Sequence, residues 1–233
     1  MTTRRPAVSG PLLACFLAAA LAPRLAAQDT YDRGVFVVTR DGEEVGREEF
    51  AITASTTHGA PGFLAVTTYR ADGREVQRAL EVSSDYVPTS YQETETAGGR
   101  VVSRVSAELS GARFSARVAS QSGETAREFP VRPPVAIVPP DAVCLFYFLP
   151  RPDSGTRALT VVTPRDPRAR DATVAALGPD SVTIAGRKVD TRRFALRIGA
   201  DERDFWFTPA GDLVQVSEPA RGLLSIRTDL PSH

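Results

Sequence analysis

Apolar and polar residues alternate along short stretches of this chain from about residue 34 onward. The pattern is clearest in stretches 101–109, 113–118 and 193–198, where apolar side chains recur at every second position. A period of two places one set of side chains against a core and the other in water, as in an antiparallel sheet. The pattern therefore predicts an all-β, mainly antiparallel fold.

Pairs of residues that tolerate a positive φ separate these stretches, as at Asp41-Gly42, Asp72-Gly73 and Ala185-Gly186. The spacing between many such pairs leaves room for one strand and its turn, and no stretch between Gln28 and Asp141 has a helical period. We therefore expect a curved meander sheet, or half-barrel, of about ten to twelve strands.

A proline-rich junction at 130–150 interrupts the alternation of apolar and polar residues and separates an N-terminal half (34–129) from a C-terminal half (156–230). Its first part, 130–140, favours an extended path of the chain. Its second part, 141–150, is the most apolar stretch of ten residues after the N-terminal region. Asp141 could cap a short helix there, although the aromatic and branched content also suits a strand. Because the junction leads into a segment that must be buried, we predict one β domain over 28–233, with 141–150 as a plug or lid.

Residues 1–27 have the features of a secretory signal peptide. Two arginines precede the apolar run Leu12–Leu21, and small residues at 26–27 offer a cleavage site. The run is too short to cross a bilayer as a helix. We therefore predict an exported, periplasmic protein; the alternative is a lipobox that anchors the chain through a lipid on Cys15.

Charge and cysteine content narrow the function classes further. The chain has 28 basic and 28 acidic residues, and loss of residues 1–27 would leave a net charge of about −3. Such a surface has no general attraction for nucleic acid, so we expect no nucleic-acid partner. Only Cys144 would remain after cleavage, and its apolar neighbours indicate a buried, inert thiol.

The residue types of common catalytic and metal sites are scarce. The two histidines are His58, in an expected loop, and His233, the last residue. No zinc spacing, Ser-His-Asp arrangement, calcium loop or phosphate-binding glycine pattern is present. Acidic clusters at 41–49 and 201–204 coincide with expected hairpins, where acids are common. We therefore predict no catalytic residue, no metal site, no cofactor and a protein that is not an enzyme.

Two aromatic groups, 146–148 and 205–207, are the remaining concentration of binding chemistry. If Phe205 and Phe207 share one face of a strand, Trp206 points to the other. Either both faces are covered there, or Trp206 lines a groove. We take Phe146, Phe148 and Trp206 as candidate ligand-binding residues, while the aromatics could also only fill a core.

Short motifs carry a resemblance to a known group. The segments 205–214 and 222–227, together with the opening hairpin 37–46, resemble the DUF3108-like group of exported bacterial β proteins of unknown function. That group is similar to the open half-barrel of the LolA and LolB lipoprotein carriers, whose concave apolar face holds acyl chains. The resemblance implies that segment 143–149 fills or covers the concavity.

Together these observations predict a non-enzymatic periplasmic or cell-envelope protein that binds an apolar ligand, a lipid or a lipidated partner on a concave sheet face. The alternative is a structural or protein-interaction module that pairs an exposed edge strand with an envelope protein. The oligomeric state and the identity of the ligand do not follow from the sequence.

Overall fold

The computed structural model describes residues 30–57 and 59–230, and β-strands form most of them. The first eight strands are β1 Thr30–Arg40, β2 Glu43–Thr57, β3 Ala60–Ala71, β4 Arg74–Ser83, β5 Pro88–Ala97, β6 Arg100–Ser110, β7 Arg113–Ser120 and β8 Gly123–Pro130. The other seven are β9 Val135–Ile137, β10 Thr156–Thr163, β11 Arg168–Ile184, β12 Arg187–Ile198, β13 Asp201–Phe207, β14 Leu213–Glu218 and β15 Leu223–Arg227. Two short 3-10 helices span Cys144–Phe148 and Pro219–Arg221; the first is called the interior helix below.

All fifteen strands described form one sheet that is not closed. Its order is β8-β7-β6-β5-β4-β3-β2-β1-β15-β14-β13-β12-β11-β10-β9. The first and last strands in sequence, β1 and β15, pair in the middle, with Phe36 opposite Arg227. Each half of the chain is therefore a meander that extends outward from this pair. All neighbours are antiparallel except β9 and β10, which are parallel, so the predicted all-β, mainly antiparallel class is confirmed.

The sheet curls around the interior helix. That helix contacts both β3 and β14, which lie four places apart in the strand order, and the edge strand β9 comes into contact with β5. Strands β6, β7 and β8 continue beyond this contact. The side of the sheet that faces the interior helix is called the inner face below.

The connection from β8 to β10 runs from one edge of the sheet to the other. Thr160 of β10 donates its backbone N–H to the carbonyl of Pro134, and Val138 donates to Val162. Residues 138–149, which follow β9, are almost all buried. The proline-rich junction thus covers the inner face, because prolines suit an extended path that makes few ladder hydrogen bonds.

The number of strands is larger than the ten to twelve that we predicted. The predicted number of strands was too low because it was inferred from glycine-containing turn pairs, and several turns of the structure lack such a pair. Between β4 and β5 the turn has Tyr86 in the left-handed region, with φ 63°. Strand β9 has only three residues and lies inside the proline-rich junction, where the prolines masked it.

The outer face carries a second, smaller core. Strands β11 and β12 form a long hairpin, and its distal part lies against the outside of β13 and β14, where four residues from β11, β13 and β14 are buried together. These residues are Val182, Ile184, Trp206 and Val214. Both faces of β13 are therefore covered, which explains its consecutive aromatic residues.

Several predictions fall on residues outside the described part of the chain. They are the signal peptide at 1–27, the lipobox at Cys15, and the two histidines, His58 and His233. Within 30–57 and 59–230, no helix combines the length and apolarity that a membrane span requires.

Candidate ligand-binding site

The interior helix is held by a carboxylate from a distant strand. Glu48 of β2 is fully buried and accepts the backbone N–H of Val143 at 3.0 Å and that of Cys144 at 2.6 Å. These are the free N–H groups at the start of the helix, where a negative charge is favourable. The predicted cap was Asp141, but no side chain of the segment itself caps this helix. Asp141 instead binds arginines.

Residues 138–149, which include the interior helix, are called the interior segment below, and Arg78 joins this segment to two strands. Its side chain is buried, donates to Glu93 of β5 at 2.9 Å and donates to the Asp141 carboxylate. A Glu48 oxygen lies 4.0 Å from the same guanidinium. Tyr91 donates its hydroxyl to Glu93 at 2.8 Å. A buried arginine is tolerated here because carboxylates surround it.

A second arginine bridges the place where the sheet curls back on itself. Arg165, in the turn between β10 and β11, donates to Glu93 at 2.6 and 2.9 Å and to Glu95 at 2.6 Å. Arg74 of β4 also binds Glu95 and lies 3.1 Å from Asp141. The network therefore connects β2, β4 and β5 with the interior segment and with the far end of β10.

The network, which is only partly buried, contains more carboxylates than guanidiniums. Its acidic members are Glu48, Glu93, Glu95 and Asp141, and its basic members are Arg74, Arg78 and Arg165. Burial raises the pKa of Glu48 above its ordinary value, against the opposing effects of Arg78 and of the two backbone N–H groups. A protonated Glu48 would balance the charges of the network.

Beside this network lies a pocket of about 400 Å³, called the amphipathic pocket below. It opens on the inner face at the end of the sheet where the β1–β2, β3–β4 and β10–β11 turns lie. Apolar side chains from the central strands and from the interior segment form its wall. They are Val38, Val45, Tyr69, Ala71, Pro140, Val143 and Leu223.

Charged side chains surround the same pocket. Four are basic, namely Arg40, Arg74, Arg165 and Arg221, and three are acidic, namely Asp72, Asp141 and Glu218. Arg40, Asp72 and Arg221 are exposed, so the pocket can be reached from solvent at this rim. An apolar wall with a few polar groups at its mouth is typical of small-molecule sites.

The structure places Phe146 and Phe148 on the inner face. Phe146 packs edge-on against Phe205, with ring centroids 5.7 Å apart, and belongs to the main core. Phe148 packs against Tyr86 at 5.6 Å and borders a smaller cavity of about 290 Å³ at the opposite end of the sheet. Neither side chain lines the amphipathic pocket, which meets the interior segment at Pro140, Asp141 and Val143.

Trp206 lies on the outer face, away from both phenylalanines. Its indole N–H donates to Asp180 at 2.8 Å, and the Arg193 guanidinium lies over its ring. Of the two alternatives that the sequence left open, covered faces and a groove, the structure has the covered faces. The three candidate residues therefore do not meet in one cavity.

Sequence reasoning missed the buried charges, although the alternation contained a signal for them. Glu48 is in phase with the apolar residues Phe50 and Ile52 on β2, and Arg78 is in phase with Val76 and Leu80 on β4. A charged residue at a core-facing position of a strand should have a buried partner. That rule would have indicated a network of buried ion pairs, but it would not have indicated which carboxylate pairs with which arginine.

Cys144 is buried and free, which confirms the predicted burial of its thiol. Burial raises the pKa of its thiol well above the ordinary value, so it carries little thiolate. Within residues 30–57 and 59–230, no group of three or more His, Cys, Asp or Glu side chains is arranged to hold a metal ion.

A scan against protein-family models and searches of curated proteins and of solved structures found no match for this chain.

Proposed function

We propose that this protein is a non-enzymatic binding protein of the cell envelope that takes the apolar part of a small ligand or lipid into the amphipathic pocket. The observation that carries the proposal is the pocket itself. Its wall is apolar, its volume of about 400 Å³ lies within the usual range for ligand sites, and its rim reaches solvent. Export rests on the predicted signal peptide.

The interior segment limits where the ligand can bind. The interior helix and its flanking residues fill the middle of the inner face, because all five helix residues and Leu149 are buried. A ligand that enters at the amphipathic pocket therefore meets Val143 as the floor of the site. In this proposal the segment acts as a plug that shortens the concavity and sets the length of chain that fits.

The experiment compares two tryptophan substitutions in the binding of N-phenylnaphthylamine, an uncharged apolar dye. Ala71 lines the pocket, so Ala71→Trp should fill it and weaken dye binding by tenfold or more. Ala112 is exposed in the β6–β7 turn at the other end of the sheet, so Ala112→Trp should bind the dye as the parent does. Absence of dye binding by the parent, or equal binding by both folded variants, would refute the proposal.

An exposed strand edge supports a second candidate function, the capture of a protein partner by strand pairing. Within the described residues β8 pairs only with β7, and nearly all of its side chains are exposed. Ser120 and Gly123 flank a two-residue turn and form the first hydrogen-bonded pair of β7 and β8. Hydrogen-bonded and non-hydrogen-bonded pairs then alternate along the two strands. The N–H groups of the non-hydrogen-bonded residues Glu124, Ala126 and Glu128 are therefore directed outward, away from β7. A partner strand would use these groups.

Ala126→Pro tests that candidate, because it removes one outward N–H and leaves the inward hydrogen bonds of β8 in place. A partner that is crosslinked by the parent protein should be lost with Ala126→Pro and retained with Ala112→Trp. If the same partner is captured by Ala126→Pro, pairing at this edge is excluded as the means of capture.

A further inference from the structure

We infer that the ligand of the amphipathic pocket is an anionic amphiphile whose carboxylate or phosphate head is bound at the rim by Arg40 and Arg221. This inference rests on the proposed function and adds the chemical class of the ligand. Its basis is the distribution of charge around a pocket whose wall is apolar.

Arg40 is the arginine of the pocket that has no ion-pair partner within the described part of the chain. It is exposed at the end of β1, directly opposite Leu223 of the pocket wall. The other three pocket arginines bind carboxylates of the protein. The rim therefore has one guanidinium without a carboxylate partner among the described residues, positioned where the apolar wall meets solvent.

Arg221 lies two residues from Leu223 and can share the same anion. Its guanidinium is 3.1 Å from Glu218 and donates to the Pro140 carbonyl at 2.9 Å, both from one nitrogen, Nη1. The remaining donors of this planar group are free to bind a second acceptor. Two guanidiniums at one rim suit a carboxylate or phosphate, which accepts several charge-assisted hydrogen bonds.

The deeper arginines are less suitable for the head group. Arg74 and Arg165 are held by Glu95, Glu93 and Asp141, and a ligand anion placed there would face those carboxylates. Burial of another negative charge beside these three carboxylates is unfavourable. The head group therefore stays at the rim while the apolar chain points toward Val143.

The test compares three probes that share one alkyl chain: decanoate, decanol and decyltrimethylammonium. Their dissociation constants are measured by calorimetry for the parent, for Arg40→Gln and for Arg100→Gln, a control at an exposed arginine outside the pocket. We expect decanoate to bind the parent about tenfold more tightly than decanol, because a hydrogen-bonded charge is worth this much. Arg40→Gln should remove that preference, and Arg100→Gln should keep it.

Each other outcome has a definite meaning. Equal binding of decanoate and decanol, tighter binding of the cationic probe, or an unchanged preference in Arg40→Gln would overturn the anionic head group and leave the proposed apolar binding in place. If none of the three probes binds the parent protein, both the inference and the proposed function fail. Thermal unfolding of both variants checks that they remain folded.

Discussion

At the scale of single residues, the unusual feature of this protein is the placement of ionisable side chains in its interior. Glu48 is fully buried, yet it accepts two backbone N–H groups that would otherwise be unsatisfied at the start of the interior helix. An isolated charge at such a position would be very costly, and the neighbouring Arg78 offsets part of this cost. Glu48 therefore stabilises the position of a helix that has no cap of its own.

The raised pKa of Glu48 predicts how the stability of the protein depends on pH. Between the ordinary pKa of 4.5 and the raised pKa, the folded protein retains a proton that the unfolded chain has released. The contribution of Glu48 is thus complete below pH 4.5 and is lost as the pH rises through the raised pKa. We expect the free energy of unfolding of the parent, relative to that of Glu48→Gln, to fall as the pH rises.

Chemical denaturation at a series of pH values measures this difference. The matched control is Glu49→Gln, since Glu49 is the next residue on the same strand but faces solvent beside Arg70. A difference that instead increases with pH would mean that Arg78 and the two N–H groups hold Glu48 ionised.

A second buried pair fixes the β1–β15 junction. Arg227 donates to both oxygens of Asp32 at 2.8 and 2.9 Å and to the Arg33 carbonyl at 2.6 Å. Its guanidinium lies so close to Gly34 that a Cβ there would be 2.9 Å away. A Cβ at position 34 would therefore require the Arg227 guanidinium to shift away from its place beside Asp32.

Removal of one member of this pair should be costly. Asp32→Ala leaves the buried Arg227 without its carboxylate, and we expect a loss of about 3–5 kcal/mol in the free energy of unfolding. The double variant Asp32→Leu with Arg227→Met removes both charges and should recover most of that loss. If the double variant is as unstable as Asp32→Ala, the uncompensated charge is not the cause.

At the scale of elements, the β11–β12 hairpin contributes to two different cores along its length. Its proximal part completes the inner core through Phe194 and Leu196, and its distal part folds over the outer face onto Trp206. The hairpin shifts register between Ala176 and Gly178, where these two parts meet. Such an irregularity bends a strand and allows one hairpin to serve both faces of the sheet.

This arrangement predicts that Ile184 and the single tryptophan report on the same small core. Ile184→Ala should lower the free energy of unfolding by about 2–5 kcal/mol, because a buried side chain is truncated. It should also shift the Trp206 emission to longer wavelength as water approaches the indole. Leu177→Ala is the control, since Leu177 lies on the same strand and is 45% exposed. An unchanged emission spectrum in a folded Ile184→Ala variant would contradict the shared core.

At the scale of the whole molecule, the parts that the sequence predicted are those determined by local patterns. The alternation of apolar and polar residues in stretches such as 113–118 predicted strands. The apolar stretch at 141–150 predicted a buried segment on one face of the sheet. The pairing of β1 with β15 and the contact of β9 with β5 join residues far apart in sequence. Such pairings depend on how the sheet curls, which a period of two does not specify. The amphipathic pocket was beyond prediction for the same reason, because its wall combines Val38, Val143 and Leu223.

The curl of the sheet should depend on Arg165, because its two carboxylate partners belong to β5 and its own turn belongs to β10. In Arg165→Ala the buried Glu93 keeps Arg78 and Tyr91 but loses both charge-assisted hydrogen bonds from Arg165 to one of its oxygens, which should cost at least about 1.5–3 kcal/mol.

The same substitution should also speed hydrogen exchange in β9 and β10, where the sheet meets β5. Arg168→Ala is the control, because Arg168 pairs with Asp166 at the exposed end of the same turn and should change stability by no more than about 0.5 kcal/mol. Since Arg165 also lines the amphipathic pocket, loss of its bridge would widen the site from the side of β10. Equal stability and equal exchange in the two variants would mean that the apolar contacts of β9, rather than the ion pairs, hold the sheet in its curled form.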